Sequence, residues 1–132
     1  YNPLKIRELM GGRTWEHPSM FKMFGVKTAD EALHPTPALR RLYDEGSPIS
    51  FLTKDDPPVF MVYEEADGPL PAGAKPGEGI HHPIFGRQLK QRLDEFGIEN
   101  VFINRNAGKN KVGDVTARMF EFFKRHLGVS GR

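Results

Sequence analysis

The sequence predicts an α/β domain in which two parallel strands, at about 58–64 and 100–104, lie behind an all-helical N-terminal segment. Three observations carry that expectation. In the first 46 residues, apolar positions recur at helical spacing between cap residues and glycines, and no strand pattern interrupts them. Two short unbroken apolar runs, Val59 to Tyr63 and Val101 to Ile103, come later. Each is followed by a helix-spaced segment, and strand, helix, strand, helix is the order of parallel neighbours joined by a right-handed crossover.

Asn2-Pro3 reads as an N-cap with proline at the first helical position, Leu4, Ile6, Leu9 and Met10 supply an apolar side, and Gly11-Gly12 stops the helix. Pro18 opens a second helix carrying Met20, Phe21, Met23 and Phe24, closed by Gly25. Thr28 with Glu31 three residues on is a capping box and announces a third. The fourth begins at Thr36-Pro37 and runs through Leu39, Leu42 and Tyr43 to Gly46. Four such short helices bury too little alone and are expected to wrap over something else. Val59 to Tyr63, flanked by Pro57-Pro58 and Glu64-Glu65, fits a strand buried on both faces. A long Pro/Gly-rich loop leads to a helix from about 83 to 96 with Phe85, Leu89, Leu93 and Phe96 on one face. After the second strand, Asp114 caps a last helix whose expected core face is Val115, Met119, Phe122, Phe123 and Leu127.

The 132 residues suffice for one core. With 38% hydrophobic and 27% charged residues, the chain has an ordinary globular composition, not a disordered or collagenous one. Five residues is the longest apolar run, well short of the ~20 that span a bilayer, so no membrane partner is expected. The net charge of +2 comes from 19 basic and 17 acidic residues spread along the chain, and even with a pI near 9.0 the positives form no block, so no nucleic-acid partner is expected. Without cysteine there is no disulfide, thiolate metal site or cysteine nucleophile, and the compartment stays open. The chain starts at Tyr1 without a Met or a leader pattern, which suggests a processed or truncated piece. Two strands are also few: parallel sheets normally have about five or six members with covered faces, so further strands are expected from another chain, a second copy or another portion of the protein.

The loop that follows the first strand, from Tyr63 through Asp67 to Pro71, leaves the carboxyl end of a parallel strand, where open α/β sheets carry their functional groups. Glu64, Glu65 and Asp67 could form a carboxylate pair or a solvated loop, and Gly68-Pro69 fixes the turn at Asp67. His81 and His82 are adjacent, so they point apart and lack the i, i+4 spacing of a helical zinc pair; no metal or other cofactor is expected. The tract 108–113 fails the phosphate-loop pattern, with Ile103 where a glycine is needed and Asn110 where Ser or Thr is needed. Trp15 with Met20, Phe21, Met23 and Phe24 could line an acyl pocket, although such clusters are more often core.

Ser47-Pro48-Ile49, then Lys54 to Tyr63 with its Asp55-Asp56-Pro57-Pro58, then Asp67 ahead of Leu70-Pro71, resembles the C-terminal portion of α/β-hydrolase esterases and lipases. The helix ending at Gly97-Ile98, the strand at 101–103, and the last helix with Phe122-Phe123 and Leu127 resemble that family's ending. The similarity covers residues 47–127. It implies a partial α/β-hydrolase fold, three-layer α/β/α, made of a helical lid or cap segment at 1–46 and a β-α-β-α part at 47–132. It further implies Ser-Asp-His ester hydrolysis of a small ester substrate, with Asp67 as the triad acid. The alternative is a non-catalytic interaction module of the same kind that completes its sheet by dimerisation. None of Ser19, Ser47, Ser50 and Ser130 lies in a G-x-S-x-G context, so the resemblance places the nucleophile upstream of Tyr1, in the N-terminal part of the same hydrolase. The family's histidine follows the last strand, where this chain has Lys109, and a lysine takes that role near neutral pH only with a pKa lowered by several units. Three alternatives stand: a non-catalytic relative, a shifted alignment at Lys109, or another histidine, for which His82 is the residue on offer.

Overall fold

The computed structural model describes residues 1–106 and 114–128. Lys109 and the rest of the tract 108–113 singled out above lie outside the described residues. The elements run α1 (Pro3–Met10), a 3-10 turn (Thr14–Glu16), α2 (Pro18–Phe24), α3 (Ala29–Leu33), α4 (Pro37–Glu45), a second 3-10 turn (Pro48–Phe51), β1 (Val59–Tyr63), α5 (Pro83–Glu95), β2 (Asn100–Asn104) and α6 (Val115–Leu127).

The caps behave as their chemistry requires. Asn2 accepts from the Lys5 N–H at 3.0 Å, Thr36 from Leu39 at 3.2 Å and Asp114 from Ala117 at 3.0 Å, each satisfying a helix-terminal donor that would otherwise lack a partner. The capping box forms in one direction only. Thr28 Oγ1 accepts from the Glu31 N–H at 3.1 Å, but the Glu31 carboxylate passes over the cap to the Lys27 N–H at 2.8 Å.

Helices α1 to α4 enclose a core of Ile6, Trp15, Phe24, Val26, Ala32 and Tyr43, closed from the other side by Phe85 of α5. The Trp15 indole N–H donates to Gly12 O at 3.0 Å and the Tyr43 hydroxyl to Ala32 O at 3.0 Å, so both large side chains bury their rings without orphaning a polar atom. Of the group proposed to line an acyl pocket, Trp15 and Phe24 are core residues, Met20 and Phe21 pack against them, and Met23 is exposed.

Strands β1 and β2 pair in parallel, with Val59 opposite Asn100 and Tyr63 opposite Asn104. Met61, Leu93 and Ile98 form the core on the α5 side, where Gly86 lets the helix come down on the Tyr63 and Phe102 rings. The opposite face is thinly covered. Phe60 meets Phe122 of α6 edge to face at 5.4 Å, while Val62 stays exposed.

This arrangement corrects the fold class. Among the described residues the sheet has two strands, and most of the remaining ordered chain is helical, so there is no three-layer α/β/α sheet of the hydrolase kind. The physical reason lies in the sequence's own supply: only two segments have the unbroken apolar character of buried strands, and the other periodic segments are helix-spaced. Two finer expectations also change. β1 is buried on one face, not both, and the apolar arc of α6 exceeds the sheet it meets, leaving Phe123 44% and Leu127 71% exposed.

Candidate functional site

The loop from Glu64 to His82 crosses the carboxyl ends of both strands, and three interactions pin it there. Glu64 takes an ion pair from Arg105 at 2.9 Å, and its carbonyl accepts from the Asn106 side-chain amide. Asp67 forms a salt bridge through Oδ2 with Arg87 of α5. The Arg87 guanidinium in turn lies 5.3 Å from the Phe102 ring centroid, a cation–π placement that limits its rotation.

His82 supplies the third. Its Nδ1 accepts the Ile84 N–H at 3.1 Å, so that nitrogen carries no proton. The proton therefore sits on Nε2, which donates to Gly68 O at 2.9 Å. The ring caps α5 and clamps the loop one residue beyond Asp67, and it is 6% exposed. His17 uses the same device ahead of Pro18, with Nδ1 accepting from Ser19 at 3.1 Å. In the His17-Pro18 and His82-Pro83 pairs the proline occupies the first helical position and the imidazole replaces the usual Asn, Ser or Asp.

Asp67 and His82, the two residues expected to act together, are thus held on one loop by different partners. Among the described residues no hydrogen bond joins them. His82 can act as a proton acceptor only by giving up the Ile84 N–H, and as a donor only by releasing Gly68. Asp67 keeps Oδ1 outside its bridge to Arg87 and its side chain is 28% exposed, so it can accept a further N–H. His81 is exposed, His34 pairs with Asp30 at 2.9 Å, and His126 meets Glu99 at 3.2 Å. No cluster of three or more His, Cys, Asp or Glu is placed to hold a metal ion among the described residues.

Two side chains at this end of the sheet were not singled out from the sequence. Arg87 is one; its signal would have been a cation on the helix that follows the acidic loop. Asn104 is the other, 6% exposed at the last position of β2. Its Oδ1 accepts from the Asn106 N–H at 2.9 Å, while Nδ2 has no partner among the described residues. Burial also pushes the phenol of Tyr63, which is opposite Asn104 in the register, above its ordinary pKa. Ser47, the first residue of the hydrolase-like tract, is buried and donates to Tyr43 O at 2.7 Å, a structural bond that leaves no nucleophile there.

No family model, curated protein or solved structure matches this chain.

Proposed function

We propose that the chain is a C-terminal part of a serine ester hydrolase, in which Asp67 is the acid that orients a histidine contributed from outside the described residues. The observation that carries this reading is the state of the Asp67 carboxylate. It stands just past the carboxyl end of β1, is fixed by Arg87, and retains one oxygen for an imidazole N–H. An acid of this kind works by holding the histidine in one tautomer and stabilising its charged form, which requires a fixed carboxylate with a free acceptor. The serine nucleophile belongs to the N-terminal part of the same hydrolase, and the substrate is a small ester.

The test is hydrolysis of a short-chain aryl ester. The 132-residue chain alone is expected to give no turnover, since it carries no nucleophile in an elbow context. A polypeptide that contains this sequence together with its nucleophile is expected to turn over the ester and to lose about 10⁴-fold in kcat on Asp67→Asn. Turnover that survives Asp67→Asn in that polypeptide removes the assignment of the acid.

A second reading is favoured by different observations: Arg87 neutralises Asp67, both His82 nitrogens are engaged, and one edge of each strand is unpaired among the described residues. It is a non-catalytic interaction module that completes its sheet with a second copy. Concentration-dependent dimers together with no aryl-ester hydrolysis in any context favour this reading over the first.

A further inference from the structure

Two cavities at the amino end of β1, the end opposite Asp67, share Tyr1 and Ile49 and form one trough between α1, α5 and the 3-10 turn at Pro48–Phe51. Their halves differ in chemistry. The larger, of about 410 Å³, has an apolar floor of Ile49, Leu52, Pro57, Val59 and Leu89, with Asp56 on its wall, where the carboxylate accepts from the Thr53 N–H at 2.7 Å. Leu52, Val59 and Leu89 rest on the Met61, Leu93 and Ile98 core, so this floor belongs to the packed interior. The other half, of about 360 Å³, is lined by Lys5, Gln88, Ser50 and Arg92.

The cations come from two different helices and converge on this half. Lys5 bonds Glu8 at 2.6 Å, and Arg92 pairs with Glu95 while its guanidinium lies 5.1 Å from the Phe96 ring centroid. Those contacts hold the side chains in place, yet an ammonium has three N–H donors and a guanidinium five, which leaves several for a further acceptor. Gln88 and Ser50 add neutral donors on the same wall. An apolar slot that opens onto cationic and amide donors suits a molecule with an unbranched alkyl chain and a compact anionic head.

We propose that this trough is a binding site for a medium-chain monocarboxylate, with the alkyl chain over Leu52, Val59 and Leu89 and the carboxylate between Lys5 and Arg92. The site stands apart from Asp67 and does not depend on the hydrolase reading. An alkyl alcohol lacks the charge, and an alkylammonium would meet Lys5 and Arg92 at the head position; at the other end Asp56 is the one carboxylate on the wall, and it already bonds the Thr53 N–H.

Calorimetric titration of the 132-residue chain with decanoate, decanol and decyltrimethylammonium tests it. Decanoate is expected to bind with a Kd at or below about 1 mM, at least tenfold tighter than the other two, and to weaken as salt is raised. Arg92→Gln is expected to weaken decanoate about tenfold and to leave decanol unchanged. Ile49→Trp, at the junction of the halves, is expected to block decanoate while circular dichroism and the thermal midpoint stay close to those of the parent chain. If Ile49→Trp perturbs the fold, changes in the methyl NMR shifts of Leu52 and Leu89 on adding decanoate to the parent chain serve as the second readout. Equal binding of all three probes, absence of decanoate binding, or decanoate shifts confined to residues elsewhere overturns the proposal.

Discussion

Gly86 lies one turn into α5, at the point of closest approach between that helix and the sheet. A Cβ built there falls 2.7 Å from the Phe102 ring and 2.8 Å from Tyr63 Cζ, with Tyr63 Cε2 nearer still. Both rings are wedged, since they also pack on each other with centroids 5.6 Å apart and Phe102 lies under Arg87. The overpacking from Gly86→Ala is expected to cost about 2–4 kcal/mol, of which roughly 1 kcal/mol is returned because alanine favours a helix over glycine. A net loss of about 1–3 kcal/mol lowers the thermal midpoint by roughly 3–10 °C for a chain of this size. Gly68→Ala is the matched control, because a Cβ at Gly68 meets nothing within 4 Å and its φ is not in the left-handed region. That change is expected to be neutral or to stabilise by a few tenths of a kcal/mol. Urea and thermal melts followed by far-UV circular dichroism measure both, and adding Tyr63→Leu is expected to reduce the cost of alanine at 86 by removing its nearest obstacle. A Gly86→Ala chain as stable as the Gly68→Ala chain refutes the close packing of α5 on the strands.

His82→Ala removes both the cap on Ile84 and the clamp on Gly68, and a loss of about 2–3 kcal/mol is expected. His82→Asn keeps a cap acceptor and should lose less, while limited proteolysis within 64–82 accelerates in both. All 3 tyrosines are held above the ordinary phenol range, Tyr1 at about 12, by burial first and, for Tyr1, by the Tyr63 charge second. A folded-state pKa raised above the unfolded value of 10.0 gives stability that is complete below pH 10 and lost as pH rises through the folded value. Thermal midpoints should therefore hold up to pH 10 and fall between pH 10 and about 12, and phenolate absorbance in the folded chain should show no tyrosine titrating at the ordinary midpoint. Val62→Lys places a charge on an exposed position of the β1 edge. It should cost less than about 1 kcal/mol and reduce any concentration-dependent association seen by sedimentation, whereas unchanged association moves the contact away from that edge.

Four of the six helix starts were legible from cap chemistry, because Asn2, Thr28, Thr36-Pro37 and Asp114 each combine a local acceptor with a backbone ready to enter a helix, and Pro18 marked a fifth. Strand positions were legible too, to within one residue of Asn100–Asn104. Burial was harder to read. Apolar character in Val62, Phe123 and Leu127 states that a residue tolerates burial, but what covers it is decided by elements far away in the chain, and none does so among the described residues. The candidate site shows the same division. Asp67's place at the strand end follows from local pattern, whereas its Arg87 partner and the role of His82 depend on where α5 docks. His17-Pro18 and His82-Pro83 held a readable hint, since an imidazole before a helix-opening proline is placed to cap before it is placed to catalyse.

The two strands are not built alike, and the difference bears on what the chain meets. Both ends of β2 carry asparagines whose side chains are engaged locally: Asn100 with Asp94 at 2.8 Å and Ile98 at 3.0 Å, Asn104 with Asn106. Polar ends of this sort discourage further pairing along a strand edge. β1 reads Val-Phe-Met-Val-Tyr without a charge or proline. Its terminal bonds, Val59 N–H to Glu99 O and Arg105 N–H to Tyr63 O, set the alternation by which Val59, Met61 and Tyr63 face β2. Phe60 and Val62 therefore aim their backbone N–H and C=O groups away from β2, on the strand that also bears the exposed Val62 side chain. An extended segment added there would satisfy four backbone groups and shield the exposed Val62 side chain in one step, whereas the outward backbone groups of β2, at Asn100, Phe102 and Asn104, come with no comparably exposed aliphatic side chain. Whichever reading of Asp67 holds, the strand that leads into it is the one whose outer edge favours a partner.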